Sequence, residues 1–217
     1  MTIERKDRSE YRDLIHTNWW VVTGGPSTGK STVLKALALR GYPIMTEAAG
    51  DYIDERIFWG KTIEEIRANE RAFQISVLRM KEQREDMLPA NELMLFDRSL
   101  HADTFAYMGM IPLMENDNSS DVVTVVKKRY QGVFLLDPLD VYEENYARTE
   151  DAQQANRIHI AIGNANRLLG YEPINVPVLP IQERAQFIID YMRSVDPNIP
   201  NLPDPFAAVR QLQLEGL

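Results

Sequence analysis

The sequence predicts an α/β fold built on a five-stranded parallel sheet with helices on both faces. Three observations predict it. Short apolar runs at 18–24, 42–47, 92–97, 132–138 and 172–177 alternate with helix-length segments along the chain. Three of these runs, "NWWVVTG", "ELMLFD" and "GVFLLDP", are nearly continuous in apolar residues, as in strands buried on both faces. A glycine-rich loop joins the first run directly to a helix.

Taken in order, residues 1–17 are polar and read as an N-terminal arm, either a helical turn or frayed. The first strand follows, with Trp19 and Trp20 expected in the core. Val33, Leu34, Leu37 and Ala38 give residues 30–39 a helical apolar pattern, and Gly41 stops it. "YPIMTE" is the second strand, and residues 48–59 are a helix. Residues 62–88 read as one long helix, with Ile66, Phe73, Val77, Met80 and Met87 on one face. The third strand ends in Asp97, and helices are expected at 102–109 and 122–130, separated by the polar loop "PLMENDNSSD". The fourth strand follows, then an amphipathic helix over 150–169 with Ile158, Ala161, Ile162, Ala165 and Leu168 inward. The fifth strand and a helix at 180–193 complete an 18–194 domain. Residues 195–217 read as a proline-rich C-terminal arm ending in a short helix, a candidate surface for a homodimer.

Composition narrows the function classes. At 217 residues, with 44% hydrophobic and 26% charged, the chain suits one soluble domain with some decoration. It has no cysteine, so disulfide and thiolate chemistry are excluded, and three scattered histidines make a structural zinc site an unfavourable reading. The net charge of -8 argues against general nucleic-acid binding. No apolar run approaches the ~20 residues that span a bilayer, and the charged start "MTIERKDRSEYRD" lacks a signal-peptide core, so a cytoplasmic protein is expected.

"GGPSTGKS", residues 24–31, fits G-x-x-x-x-G-K-[ST]. The spacing has a chemical reason. Glycines let backbone N–H groups converge on a β-phosphate, and the following helix presents its positive end to the same oxygens. The expected nucleotide contacts are Gly25, Pro26, Ser27, Thr28, Gly29, Lys30, Ser31 and Thr32. Lys30 is expected to bridge the β- and γ-phosphates, and Ser31 to place its hydroxyl on Mg²⁺. ATP is the expected donor, since no Asn/Thr-Lys-x-Asp guanine motif is present, although GTP stays open.

A phosphate loop of this kind needs a carboxylate at a neighbouring strand end. Asp97 and Asp137 both qualify; Asp97 is preferred as the metal-side acid because Arg98, Ser99 and Asp103 follow it. Arg98 can clamp a phosphate or the acceptor. Glu47, just past the second strand, is placed to serve an acceptor hydroxyl as general base, with Asp51 one turn on. After the fourth strand, Arg148 precedes an N-cap at Thr149 and is the candidate transition-state arginine, with Arg157 second. His101 and His159 read as surface or core histidines.

These motifs together resemble the P-loop proteins labelled "AAA domain", similar to the ribosylnicotinamide-kinase domain of NadR proteins and, more distantly, to deoxynucleoside and thymidylate kinases. The resemblance rests on "VVTGGPSTGKSTVLKAL", "GYPIMTEAAGDYI", "LMLFDRSLHADTFAYM", "VFLLDPLDVYEENYARTED" and "LGYEPINVPVLPIQERAQFII". It implies a P-loop NTPase fold of the nucleoside- and nucleotide-kinase type, a metal-side Asp97, an acceptor-side acid near Glu47 and a lid arginine near Arg148. Relatives often carry Arg where Gly50 stands. The chain lacks the helical lid domain and sensor arginines of ring-forming AAA+ machines. Phosphotransfer from ATP to a small nucleoside- or nucleotide-like acceptor is therefore the expected function. The alternative is a nucleotide-dependent switch that engages a protein or lipid partner through the C-terminal arm.

Overall fold

The structure is a computed structural model that describes residues 14–109, 128–139 and 152–205. In chain order these residues form β1 (Ile15–His16), β2 (Trp19–Thr23), α1 (Lys30–Leu39), β3 (Ile44–Met45), α2 (Ala48–Phe58), α3 (Ile63–Arg67) and α4 (Glu70–Asp86). Then come β4 (Met94–Asp97), α5 (Ala102–Tyr107), β5 (Lys128–Arg129), β6 (Gly132–Leu136), α6 (Ala152–Leu168), β7 (Ile174–Val176) and α7 (Ile181–Val195). The main sheet has five strands in the order β3-β4-β2-β6-β7, and every pairing is parallel. The expected α/β sheet with helices on both faces is therefore present.

β2 and β6 are buried at every position, which is what continuous apolar runs require of central parallel strands. Their alternate side chains serve opposite faces. Trp20, Val22, Phe134 and Leu136 pack against α1 and α7, with Leu37, Ile188 and Met192. Trp19, Val21, Val133 and Leu135 pack on the other face with Ile162 and Ala165 of α6. Both tryptophans are in the core, and Gly132 is needed there: a Cβ would stand 2.6 Å from the Trp20 ring.

Three local expectations are corrected. Residues 62–88 are two helices, not one, because Asn69 leaves the helical region (φ -127°) and its side chain accepts from the Ala72 N–H at 3.0 Å, an N-cap for α4. Met87 accordingly lies outside α4 and is exposed. At the N-terminus, Ile15 and His16 form a strand that pairs in parallel with Lys128 and Arg129, so 128–129 is strand and not the end of a helix. Arg129 is held there by a guanidinium lying over the Tyr171 ring and by donation to Gly170 O.

The start of the C-terminal segment packs on the domain. Ile199 is buried in the α1–α7 core, and the Tyr42 hydroxyl donates to Pro200 O at 2.5 Å. The expected short helix beyond it lies outside the described residues, as do residues 122–127 of the helix expected at 122–130, Arg148, and Thr149, the expected N-cap of the helix that follows it. No helix among the described residues is long and apolar enough to cross a membrane.

Candidate active site

β2 lies at the centre of the sheet, between β4 and β6, so its C-terminal end opens where strand order reverses. Such points are where α/β sheets bind ligands. The chain leaves β2 through the loop 24–29. Gly24 and Gly29 have φ of 146° and 80°, and a Cβ on Gly24 would stand 2.9 Å from Leu136 O. Gly25 is tight for a different reason: a Cβ there would meet Ala155 O and His159 Cβ of α6, each at 2.8 Å. α1 starts at Lys30 with no side-chain cap and no acid in its first turn. Its terminal N–H groups and the positive end of its dipole are thus left for an anion.

Lys30 is buried, and its ammonium donates to Gly25 O at 2.7 Å and Thr28 Oγ1 at 3.3 Å. Burial, reinforced by the nearby Arg98 charge, lowers its pKa to about 7. The lysine therefore spans the mouth of its own loop with its charge poorly compensated.

Beside it stands a cluster built on the end of β4. Arg98 adopts φ 77°, an uncommon left-handed conformation for a non-glycine residue, while its N–H continues the sheet by donating to Val22 O. This turn brings the guanidinium back over the loop. Nε donates to Glu47 Oε1, and Nη1 to Asp103 Oδ1 at 3.3 Å. The Tyr107 ring lies beneath it at 5.1 Å. Asp103, fully buried, also accepts from Thr23 Oγ1 at 2.6 Å and from the N–H and hydroxyl of Ser99. The Arg98 guanidinium holds the Glu47 carboxyl below its ordinary range, against a burial effect of opposite sign. Asp97 differs: Oδ1 is buried with no hydrogen-bond partner, and burial followed by the Glu47 charge raises its pKa to about 6.

Two clefts meet at Lys30. One of about 300 Å³ runs along residues 27–33 to the apolar side chains Leu139, Leu179 and Ile181. The other, of about 240 Å³, is bounded by Glu47, Arg98, Phe73, Gln74 and Tyr107. Ser27, Lys30 and Ser31 line both. Gly50 opens onto the second cleft, with nothing within 4 Å of a Cβ placed there.

The structure therefore brings together Lys30, Ser31, Glu47 and Arg98 on one cleft, with Asp97 adjoining. Thr32 lies on the first cleft only. Asp51 does not join the cluster; it is tied to Arg84 at 2.7 Å and Thr46 at 3.0 Å. Arg157 is exposed on α6. His159 accepts from the Gly25 N–H at 3.3 Å, so it is a loop contact and not a surface histidine.

Two residues escaped the sequence reading. Arg184 is fully buried and donates to Thr28 O at 2.7 Å, Asp137 O at 2.9 Å and Pro177 O at 2.8 Å. It fastens the phosphate loop to the ends of β6 and β7. Lys81 donates to Ser99 O at 2.9 Å, supporting the Arg98 turn from α4. Both had a signal. Arg184 precedes Ile188 and Met192 at steps of four, and Lys81 follows Phe73 and Val77 in the same way, so each is a charge on an inward face.

Comparison with known proteins agrees with this geometry. The sequence model of the family described as "AAA domain" matches residues 19–184. A search of curated proteins gives no match. Among solved structures, the chain is similar to a deoxyadenosine kinase from M. mycoides, solved with products dCMP and a flexible dCDP bound. The TM-score is 0.58 at 16% identity, over 82% of this chain and 100% of that one. It is also similar to NadR in complex with NR, with a TM-score of 0.57 at 19% identity over 86% of this chain. There the match spans only 54% of the other chain, about half its length. A thymidylate kinase from Ehrlichia chaffeensis gives a TM-score of 0.52 at 15% identity, over 81% and 97% of the two chains. At these identities the likeness is one of fold: the chain has the fold of P-loop kinases.

Proposed function

We propose a phosphotransferase, on the premise that this chain belongs to the AAA-domain family. The reaction is transfer of the γ-phosphoryl group of ATP to the hydroxyl of a small nucleoside- or nucleotide-like acceptor. One observation carries the reading: two clefts share Lys30 and Ser31, and the second has a carboxylate and an arginine on its wall. A hydrolase needs room for one water; a cleft of about 240 Å³ bounded by Phe73, Gln74 and Tyr107 is room for an acceptor.

The donor triphosphate would lie along residues 25–32, with its base toward Leu139, Leu179 and Ile181. On binding, the Lys30 ammonium exchanges Gly25 O for phosphate oxygens. Mg²⁺ fits the oxygens present: the Ser31 hydroxyl and, through water, the unpartnered Asp97 Oδ1, the sparse hard-donor set this ion takes alongside phosphates. When bound it neutralises charge on the phosphoryl oxygens. Glu47 receives the acceptor hydroxyl's proton as the acceptor oxygen–phosphorus bond forms and the β–γ bridging bond breaks, leaving ADP. Its depressed pKa makes it a weak base, which suits a loose transition state that needs positioning more than deprotonation. Arg98 orients Glu47 and faces the transferring group. Arg148 is proposed to close over it. The switch reading finds less support, because the first part of its arm is packed on the domain core.

The test is incubation with Mg·ATP and a panel of nucleosides and mononucleotides, with products separated by mass. A phosphorylated acceptor is expected. ADP and inorganic phosphate released at one rate across the whole panel would reject the kinase reading.

A further inference from the structure

α6 approaches the phosphate loop at Gly25. Ala155, His159 and Ile162 follow one another at steps of four and three, so they share one face of the helix. Ala155 and Ile162 are buried, which makes that face the inward one. The helix backbone comes so close that a Cβ on Gly25 would stand 2.8 Å from Ala155 O and from His159 Cβ. A polar ring on an inward face needs a partner, and here the Gly25 N–H donates to His159 Nδ1 at 3.3 Å.

Gly25 is held at both ends. Its N–H goes to His159, and its carbonyl accepts from Lys30 Nζ at 2.7 Å and from Thr28 Oγ1 at 3.1 Å. Pro26, the next residue, has no N–H to add. These three tethers differ in what a nucleotide does to them. Lys30 turns to the phosphates and leaves Gly25 O. Thr28 belongs to the loop itself. His159 alone of the three reaches Gly25 from another element. Its ring is in the right state to do so. Burial lowers its pKa, the Asp137 charge opposing this and the Lys30 charge adding to it. The ring is therefore neutral at neutral pH, with one lone pair and one N–H. The Gly25 N–H takes the lone pair on Nδ1, which puts the ring proton on Nε2.

We propose that His159 is a positioning residue of the donor site. Its Nδ1 anchors the Gly25 backbone to α6, so that the loop amides stay converged on the triphosphate after Lys30 has turned away. The inference rests on the donor half of the proposed function and holds whatever compound accepts the phosphoryl group.

Asparagine is the informative replacement, because its side-chain oxygen takes the place of Nδ1 as acceptor, whereas leucine accepts nothing. Mg·ATP and Mg·tripolyphosphate are titrated calorimetrically into the full chain, His159→Leu and His159→Asn, with thermal unfolding of each free protein as the check on folding. Expected are a loss of about three- to tenfold for both ligands in His159→Leu, the effect of one neutral hydrogen bond, and affinities within about twofold of native in His159→Asn. An equal loss for tripolyphosphate marks an effect on the loop, since that ligand has no base to be placed. If His159→Leu does not fold, His159→Ala takes its place. Unaltered ATP affinity in the folded variant, the same loss in His159→Asn, or a loss for ATP without one for tripolyphosphate overturns the proposal. A native chain that binds neither ligand overturns the reading of the loop and this proposal together. Failure to phosphorylate any acceptor, with both ligands bound as expected, rejects the kinase reading alone.

Discussion

Arg98 concentrates the chemistry of the site at one residue. It sits in a left-handed conformation, its side chain only 11% exposed, between Glu47 and the fully buried Asp103. Removing one partner of a buried ion pair leaves an uncompensated charge, at a cost of about 3–5 kcal/mol. Arg98→Ala is therefore expected to lower stability in chemical denaturation by about that amount, because Asp103 keeps only its Thr23 and Ser99 donors. Lys30 gives a second prediction at this scale. Burial holds its pKa at about 7, so at pH 8 the free side chain is mostly neutral, and phosphate oxygens favour the charged form. ATP binding at pH 8 should take up a proton, and at pH 6 the uptake by Lys30 should be much smaller because the side chain is then mostly charged. Calorimetry in buffers of different ionisation enthalpy reads this directly. Proton release at pH 8 would contradict it.

At the scale of elements, caps and inward charges decide what the apolar pattern alone leaves open. Asn69 divides the segment 62–88 into α3 and α4, so Asn69→Ala should cost about 1 kcal/mol in urea unfolding without moving ATP affinity. The central strands were legible because continuous apolar runs such as "WWVVT" have one physical meaning in an alternating α/β chain. The phosphate loop was legible because its glycines and lysine are a local motif. The pairing of Glu47 with Arg98 was legible only as two neighbouring strand ends; their contact depends on the left-handed turn at Arg98, which no local signal marks. The strands at 15–16 and 128–129 were not legible, since each is two residues long and exists only through the other. A period-four pattern marks the inward face of α4: Phe73, Val77, Lys81 and Glu85 lie along it, and its two charged members bond to Ser99 O and to the Tyr130 hydroxyl.

At the scale of the whole molecule, Arg184 ties the site to the sheet. Its four carbonyl partners, Thr28, Asp137, Val176 and Pro177, belong to the phosphate loop and to the ends of β6 and β7. Arg184→Met should leave buried carbonyls without donors, lower stability by about 3 kcal/mol, and weaken ATP binding. A stability loss with ATP affinity unchanged would show that the clamp does not position the loop. The central claim is wider: the cleft beyond Lys30 holds an acceptor, and Glu47 acts on its hydroxyl. The direct measurement is the rate of phosphorylated-acceptor formation by Glu47→Gln against the unaltered chain, with ATP affinity measured on the same samples. The account predicts a rate lower by about 10²–10⁴ with ATP affinity little changed, because Glu47 lies on the acceptor cleft and not on the cleft that runs to Leu139 and Ile181. An unchanged rate of product formation in Glu47→Gln would contradict it.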